Sequence, residues 1–217
     1  MSSFIEEGKK RNYNSPRRQE QAQATRQRIL EAARRLFVER GYVAATLPAI
    51  AREAGVAAPT LTFAFGTKFA ILDAVIKLAV RGDEAPVPLE IRSWWQEMLA
   101  EPDPVRKLNL FAAHSRRIHE RTTDIFEIVR GAATADPEIA ALRRELNASR
   151  LQDVKGVAQS LAQKGSLRPG LAPEQATDLL WTLGAAETYR MLVVERGWPP
   201  DHYERWLASV LIHSFLG

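Results

Sequence analysis

Apolar residues recur at three- and four-residue spacing along most of this 217-residue chain, and no useful stretch alternates with period two, which predicts helices and no sheet. The first amphipathic run spans about Arg18 to Arg40, with Ile29, Ala33, Leu36 and Phe37 sharing one face, and Gly41 ends it. Thr46 then caps a short helix through Ala54, with Pro48 in its first turn, where a backbone N–H has no intrahelical partner to lose. Gly55 breaks that helix. A third is predicted from about Ala58 to Phe65, and Gly66-Thr67 separates it from a fourth, Lys68 to Val80. Gly82, Asp83, Pro86 and Pro88 read as a linker. Beyond it, Asp103-Pro104 and Asp136-Pro137 each pair an N-cap residue with a first-turn proline, and the second opens a long helix to about Gln163. Gly165 and Gly170 flank a turn. Pro173 starts a helix expected to reach Gly197, and a last helix extends from about Pro200 to Phe215.

The spacing between Leu47 and Phe65 is that of a helix-turn-helix. Its turn needs a residue that accepts positive φ, which Gly55 supplies, and its helices need a small side chain at their close approach, where Ala51 sits. Ile50, Ala54, Val56, Leu61 and Ala64 fall at the offsets expected to face inward. An ordinary helical corner would share one or two of these matches. Seven in order, after a capped helix and before another helix start, predict an element that lies in the major groove of double-stranded DNA.

Charge sharpens this picture. The formal net charge is only +4, yet residues 1–68 carry 12 Lys/Arg against 6 Glu, while the remainder carries 18 Lys/Arg against 20 Asp/Glu. A basic front on a slightly acidic body suits contact with a polyanion, although a solvated basic tail has the same composition. Residues 1–20, with Lys9, Lys10, Arg11, Arg17 and Arg18 among Ser, Asn and Gly, read as a disordered arm able to reach the minor groove. The chain has no cysteine, which excludes disulfides and thiolate metal sites. A polar N-terminus and the lack of any bilayer-length apolar run predict a soluble, cytoplasmic protein.

The motifs of catalysis are not found in the sequence. The four histidines form no i, i+4 metal pair or HExxH, His114 and His119 are expected on different helical faces, and neither GxSxG nor a phosphate-cradling glycine loop occurs. The expectation is therefore no enzyme, no cofactor and no metal. The reading left beside DNA binding is a membrane- or partner-binding helical protein using the basic amphipathic segment Arg26 to Arg40.

The residues from Thr25 through Phe37, then Gly41-Tyr42, Thr46, Ile50 to Val56 and Phe65-Gly-Thr-Lys68, closely resemble the N-terminal signature of the TetR (tetracycline-repressor-like) family of transcriptional regulators. The resemblance covers about residues 24–75. It implies an all-α fold with a helix-turn-helix DNA-binding domain at 21–68, followed by a larger helical ligand-binding and dimerisation domain at 69–217. It also implies that Thr46 bonds a phosphate at a helix N-terminus, that Ala57, Ala58, Pro59, Thr60, Thr62 and Phe63 enter the major groove, and that Lys68 contacts the backbone beyond. Where the family usually has a phosphate-reaching tyrosine, this chain has Thr62, and the next position is Phe63. None of these groove residues can make a bidentate base contact, each worth roughly 1–3 kcal/mol of discrimination. Reading would rest on threonine hydroxyls, thymine-methyl contacts, DNA shape and basic residues such as Arg17 and Arg18.

The family resemblance implies a small-molecule effector in the helical body. Candidate ligand residues are Trp94, Trp95, Met98, Phe111, His114, Ser115, Phe126 and Trp181, with Thr122 and Tyr189 as further polar groups, although an ordinary core needs the same mixture. His114 is expected to be hydrogen-bonded and structural. The last helices carry more apolar surface than one buried stripe requires, at Leu179, Leu183, Met191, Trp206, Val210 and Phe215, which predicts a homodimer through a four-helix interface.

Overall fold

Pro16 opens the first helix with a residue that needs no intrahelical donor. A computed structural model describes residues 16–82 and 92–216, and no strand occurs among them. Helix α1 spans Pro16–Ala44, interrupted at Gly41, whose φ of 77° and ψ of 166° are not helical. It begins earlier than the periodicity suggests, so Arg17 and Arg18 lie exposed on its first turn and not in an arm. Lys9, Lys10 and Arg11 lie outside the described residues, as do Asp83, Pro86 and Pro88. The short helices α2 (Leu47–Glu53) and α3 (Ala58–Phe65) and helix α4 (Lys68–Arg81) follow. After the linker come α5 (Ser93–Ala100), α6 (Pro104–Ala132), α7 (Pro137–Gln163), α8 (Pro173–Leu183), the one-turn α9 (Ala186–Tyr189), a π-helical segment Arg190–Glu195, and α10 (Pro200–Leu216).

The helix expected from Pro173 to Gly197 is therefore not continuous. Gly184 is the reason. A Cβ there would lie 2.9 Å from the Leu180 carbonyl oxygen and 3.2 Å from the Phe111 ring, so only glycine lets α6 approach this closely. The break also leaves the Gly184 carbonyl oxygen free to accept from the buried His119, at 3.1 Å.

Two hydrophobic cores form. The head core joins Ile29, Phe37, Ile50, Leu61, Ile71, Leu72 and Ile76 to Ile125 and Val129 of α6 and to Ile139 and Leu142 of α7. The body core gathers Trp95, Met98, Leu108, Phe111, Val157, Leu161, Leu180, Tyr203, Leu207, Leu211 and Phe215. Helices α6 and α7 contribute to both, so packing does not divide at residue 68: α4 and the ends of α6 and α7 belong with the helix-turn-helix head. Polar contacts bind the same seam. Arg34 of α1 grips Asp124 of α6 with contacts of 2.7 and 2.9 Å and donates to the Arg121 carbonyl oxygen at 2.6 Å. Arg121 in turn donates to the last carbonyls of α4, Ala79 at 2.9 Å and Val80 at 3.2 Å. No described helix is long and apolar enough to cross a membrane.

Candidate functional site

The helix-turn-helix is assembled by backbone chemistry that the sequence specifies residue by residue. The Thr46 hydroxyl accepts from the Ala49 N–H at 3.3 Å and so caps α2. At the other end the Gly55 N–H bonds the Arg52 carbonyl at 3.2 Å and the Val56 N–H reaches back to Ala51 at 3.0 Å. This pair of bonds is the Schellman termination, and it requires the φ of +64° that Gly55 adopts. Ile50, Ala51, Ala54 and Leu61 are buried and Val56 is half-buried, as the spacing predicts. Ala64 is not: it is exposed, and Phe65, the next residue, turns inward against the head core with the Arg26 guanidinium 4.3 Å from its ring centre. In a helix that already buries Leu61, the i+4 neighbour shares its face more closely than the i+3 neighbour here.

What remains outside is the surface expected to meet DNA. Thr46, Ala57, Ala58, Pro59, Thr60 and Thr62 are all exposed, and Phe63 is 95% exposed. A phenyl ring so bare at the middle of α3 has no role in this chain's own packing. Lys68 stands differently. Its ammonium donates to the Tyr42 carbonyl at 2.8 Å and the Val43 carbonyl at 3.2 Å and lies 4.3 Å from the Tyr42 ring centre, and burial lowers its pKa. Two of its three donors thus tie the end of α1 to the start of α4, leaving one for a phosphate.

The body holds a cavity of about 220 Å³ where the two cores meet. Val80, Phe126, Val129 and Leu146 line it from the head side, and Trp95, Met98, Phe111 and Val154 from the body side. Six of the candidate ligand residues, Trp95, Met98, Phe111, His114, Ser115 and Phe126, are on its wall. Trp94 and Trp181 are not. Trp94 packs edge-on to Trp95 and lies 4.2 Å from the His114 ring, and Trp181 lies beneath the Arg150 guanidinium at 4.3 Å. Of the further polar candidates, Thr122 is buried with its hydroxyl returned to the Ile118 carbonyl, and Tyr189 is packed between the rings of His119 and Tyr203. Thr123 lines the cavity instead.

His114 and His119 both reach this wall although five residues separate them, because the cavity wraps around α6. The buried, hydrogen-bonded histidine is His119; burial pushes both rings down to a pKa of about 4, so both are neutral. Since a carbonyl can only accept, His119 must carry its proton on Nε2, which leaves Nδ1 as a buried acceptor with no partner among the described residues. The sequence reading missed the charged wall: Arg130, Arg143, Arg150 and Arg190 with Glu127, Asp153 and Glu187. On an amphipathic helix such residues are indistinguishable from a solvated face until the neighbouring helices are placed.

The surface expected to pair two copies is partly available. Leu179, Leu183, Trp206 and Val210 are half-buried, and Met191 is 47% exposed. Phe215 is a correction: it is wholly buried in the body core with Leu207 and Leu211, so it cannot lie at an interface. Its position four residues after Leu211 places it on the inward stripe of α10, which apolarity alone does not distinguish from the outward one.

Among known proteins, residues 29–75 match the family described as bacterial regulatory proteins, tetR family. The HTH-type transcriptional regulator TtgR of Pseudomonas putida is 30% identical over 166 residues, which cover 74% of this chain and 76% of TtgR. The crystal structure of NalD, the secondary repressor of the MexAB-OprM multidrug efflux pump in Pseudomonas aeruginosa, is 25% identical with a TM-score of 0.71, covering 91% of this chain and 98% of NalD. A SmeT-triclosan complex shares the fold at 20% identity and a TM-score of 0.70, over 89% of this chain and 92% of that one.

Proposed function

The chain belongs to the tetR family of bacterial regulatory proteins and is a DNA-binding transcriptional regulator, and from that premise we propose that it is a homodimeric repressor whose hold on a palindromic operator is released by a small molecule in the cavity. The observation that carries this reading is that α6 lines the cavity along one stretch and, through Asp124 and Arg121, grips α1 and α4 of the DNA-binding head along the same stretch. A ligand wedged between the two cores has differential contacts with any change in the α6 position, which is what shifting a two-state equilibrium requires.

In the dimer, the half-buried apolar residues of α8 and α10, Leu179, Leu183, Trp206 and Val210, pack against their copies about a twofold axis, with Met191 at the margin. The axis sets two α3 helices about one DNA turn apart, roughly 34–36 Å. On each half-site Thr46 meets a phosphate, Arg17 and Arg18 meet the backbone beside it, and Ala57 to Phe63 enter the groove. The description of NalD as a secondary repressor supports the sign of regulation, and the SmeT-triclosan complex supports a small organic ligand in a body of this fold.

The test is fluorescence anisotropy of labelled DNA flanking the chain's own gene, read beside sedimentation at micromolar concentration. Binding of a dimer to a twofold-symmetric site is the expected result. Sedimentation as a monomer only would remove the dimer, and vesicle pelleting without DNA binding would remove the operator.

A further inference from the structure

Arg150 is the one cavity-lining arginine that is substantially buried without a carboxylate at ion-pair distance among the described residues. Arg130 and Arg190 are both engaged by Glu127, and Arg190 also by Glu195. Arg150 instead donates to the Trp181 carbonyl at 2.5 Å and stacks on the Trp181 ring at 4.3 Å. Arg150 lines the cavity and Trp181 does not. That arrangement holds the fork in one plane, with one of its five N–H donors used on the Trp181 carbonyl. Burial pulls its pKa below the ordinary arginine value, opposed by the charges of Glu187, Tyr203 and Asp153. Arg150 is half-buried, and a carboxylate in the cavity would give its cation a counter-charge there.

The rest of the wall defines the other end of that partner. Trp95, Met98, Phe111 and Phe126 present an apolar, largely aromatic lining. At about 220 Å³ the cavity falls below the roughly 300–1,000 Å³ usual for drug-sized ligands, which favours a compact molecule.

We propose that the effector is a compact organic acid, its carboxylate held by the Arg150 guanidinium and its apolar, ring-sized body against Trp95, Phe111 and Phe126. This assignment rests on the ligand-binding reading above but goes beyond it, because a cavity of this size would equally admit a neutral molecule. A planar carboxylate matches the guanidinium fork through two parallel N–H···O bonds, and the Trp181 stack holds the fork ready for it. Arg150 is thus the charge-recognising residue of the cavity, and Trp181 positions it without touching the ligand.

The test uses matched acids and methyl esters as probes: benzoate, naphthoate and octanoate with their esters, titrated into the intact protein and followed through intrinsic tryptophan fluorescence and calorimetry. A charge-assisted hydrogen bond in this setting contributes enough to favour the acid over its ester by about 10- to 100-fold. Arg150→Met is expected to abolish that preference by weakening the acid while sparing the ester, and Arg150→Lys to retain part of it, since the charge survives without the fork. Equal binding of acid and ester to the unaltered protein would overturn the organic-acid assignment and leave the cavity a ligand site for neutral molecules. A preference undiminished in a folded Arg150→Met protein would overturn the role of Arg150. Failure of all six probes to bind would remove the ligand-binding reading, and the assignment with it.

Discussion

The head and the body of this protein are built from the same kind of capped helix but leave different things for another molecule. In the head, each turn is closed by a named local device: the Thr46 cap, the Gly55 termination, the Thr67 cap whose hydroxyl accepts from the Ala70 N–H at 3.1 Å. Its core buries Ile29, Phe37, Ile50 and Leu61, and what it exposes, the Thr60, Thr62 and Phe63 face, is left over for another molecule. In the body, the helix expected from Pro173 is broken at Gly184, and the packing leaves a cavity with charged groups on its wall. The head presents a surface, and the body encloses a space that can be filled. The lesson is in α6, which serves both: Leu108 and Phe111 belong to the body core, Ile125 and Val129 to the head core, and the cavity lies between them.

The largest expected effect breaks the head. Leu61→Ala deletes a fully buried side chain at the α2–α3 crossing and should cost about 2–5 kcal/mol. Because α6 is shared, calorimetry should show one cooperative transition at lower temperature. Two separated transitions would mean that the cores fold independently and that the seam transmits nothing.

Acid titration tests the body. His119 is neutral in the fold, with its pKa held at about 4, against 6.5 when exposed. The unfolded chain therefore binds its proton first as pH falls. The stability tied to this residue is complete above pH 6.5 and is lost progressively towards pH 4, on the order of 3 kcal/mol in full. His114, lowered likewise by burial, adds in the same direction. Urea midpoints at pH 7 and pH 4.5 should differ strongly, and less so in His119→Gln; an identical decline in that variant would show that His119 is not the group responsible.

Gly184→Ala comes next, at about 1–3 kcal/mol of overpacking against the Leu180 carbonyl and Phe111. It should also alter affinity for cavity ligands, since Phe111 is a wall residue; a loss of stability with ligand affinity untouched would show that the two functions of this break are separable. The smallest effect returns to the head. Thr46→Ala removes one cap, worth about 1 kcal/mol, and should weaken operator binding in anisotropy while ligand affinity in the body stays constant. A matching loss of ligand affinity would show that the head is less self-contained than its local devices imply.

The fold was legible to an unequal degree in these two regions. Helix starts at Ala58, Lys68, Pro104, Pro137 and Pro173 and the end at Gln163 match the pattern, because caps, prolines and glycines act on the few residues beside them. Ala64 and Phe215 were misplaced since a helical stripe is wide, and which edge of it is buried depends on the partner helix. The break after Leu183 has only a glycine as its mark, and a glycine within a helical run does not announce that Phe111, far away in sequence, needs its space.

By itself the sequence determined the helix-turn-helix, its turn geometry and the poverty of its groove-facing surface in bidentate side chains. Those properties depend on neighbours within about five residues along the chain, whose interactions are set by helix geometry alone. Only the tertiary structure decided that Arg150 rests on Trp181 beside a cavity, that His119 meets the Gly184 carbonyl, and that Arg34 reaches Asp124 across 90 residues. Charged residues on an amphipathic helix carry no local sign of whether they face water, a partner or a cavity. Their role is fixed when distant helices pack and the dielectric around each of them is set.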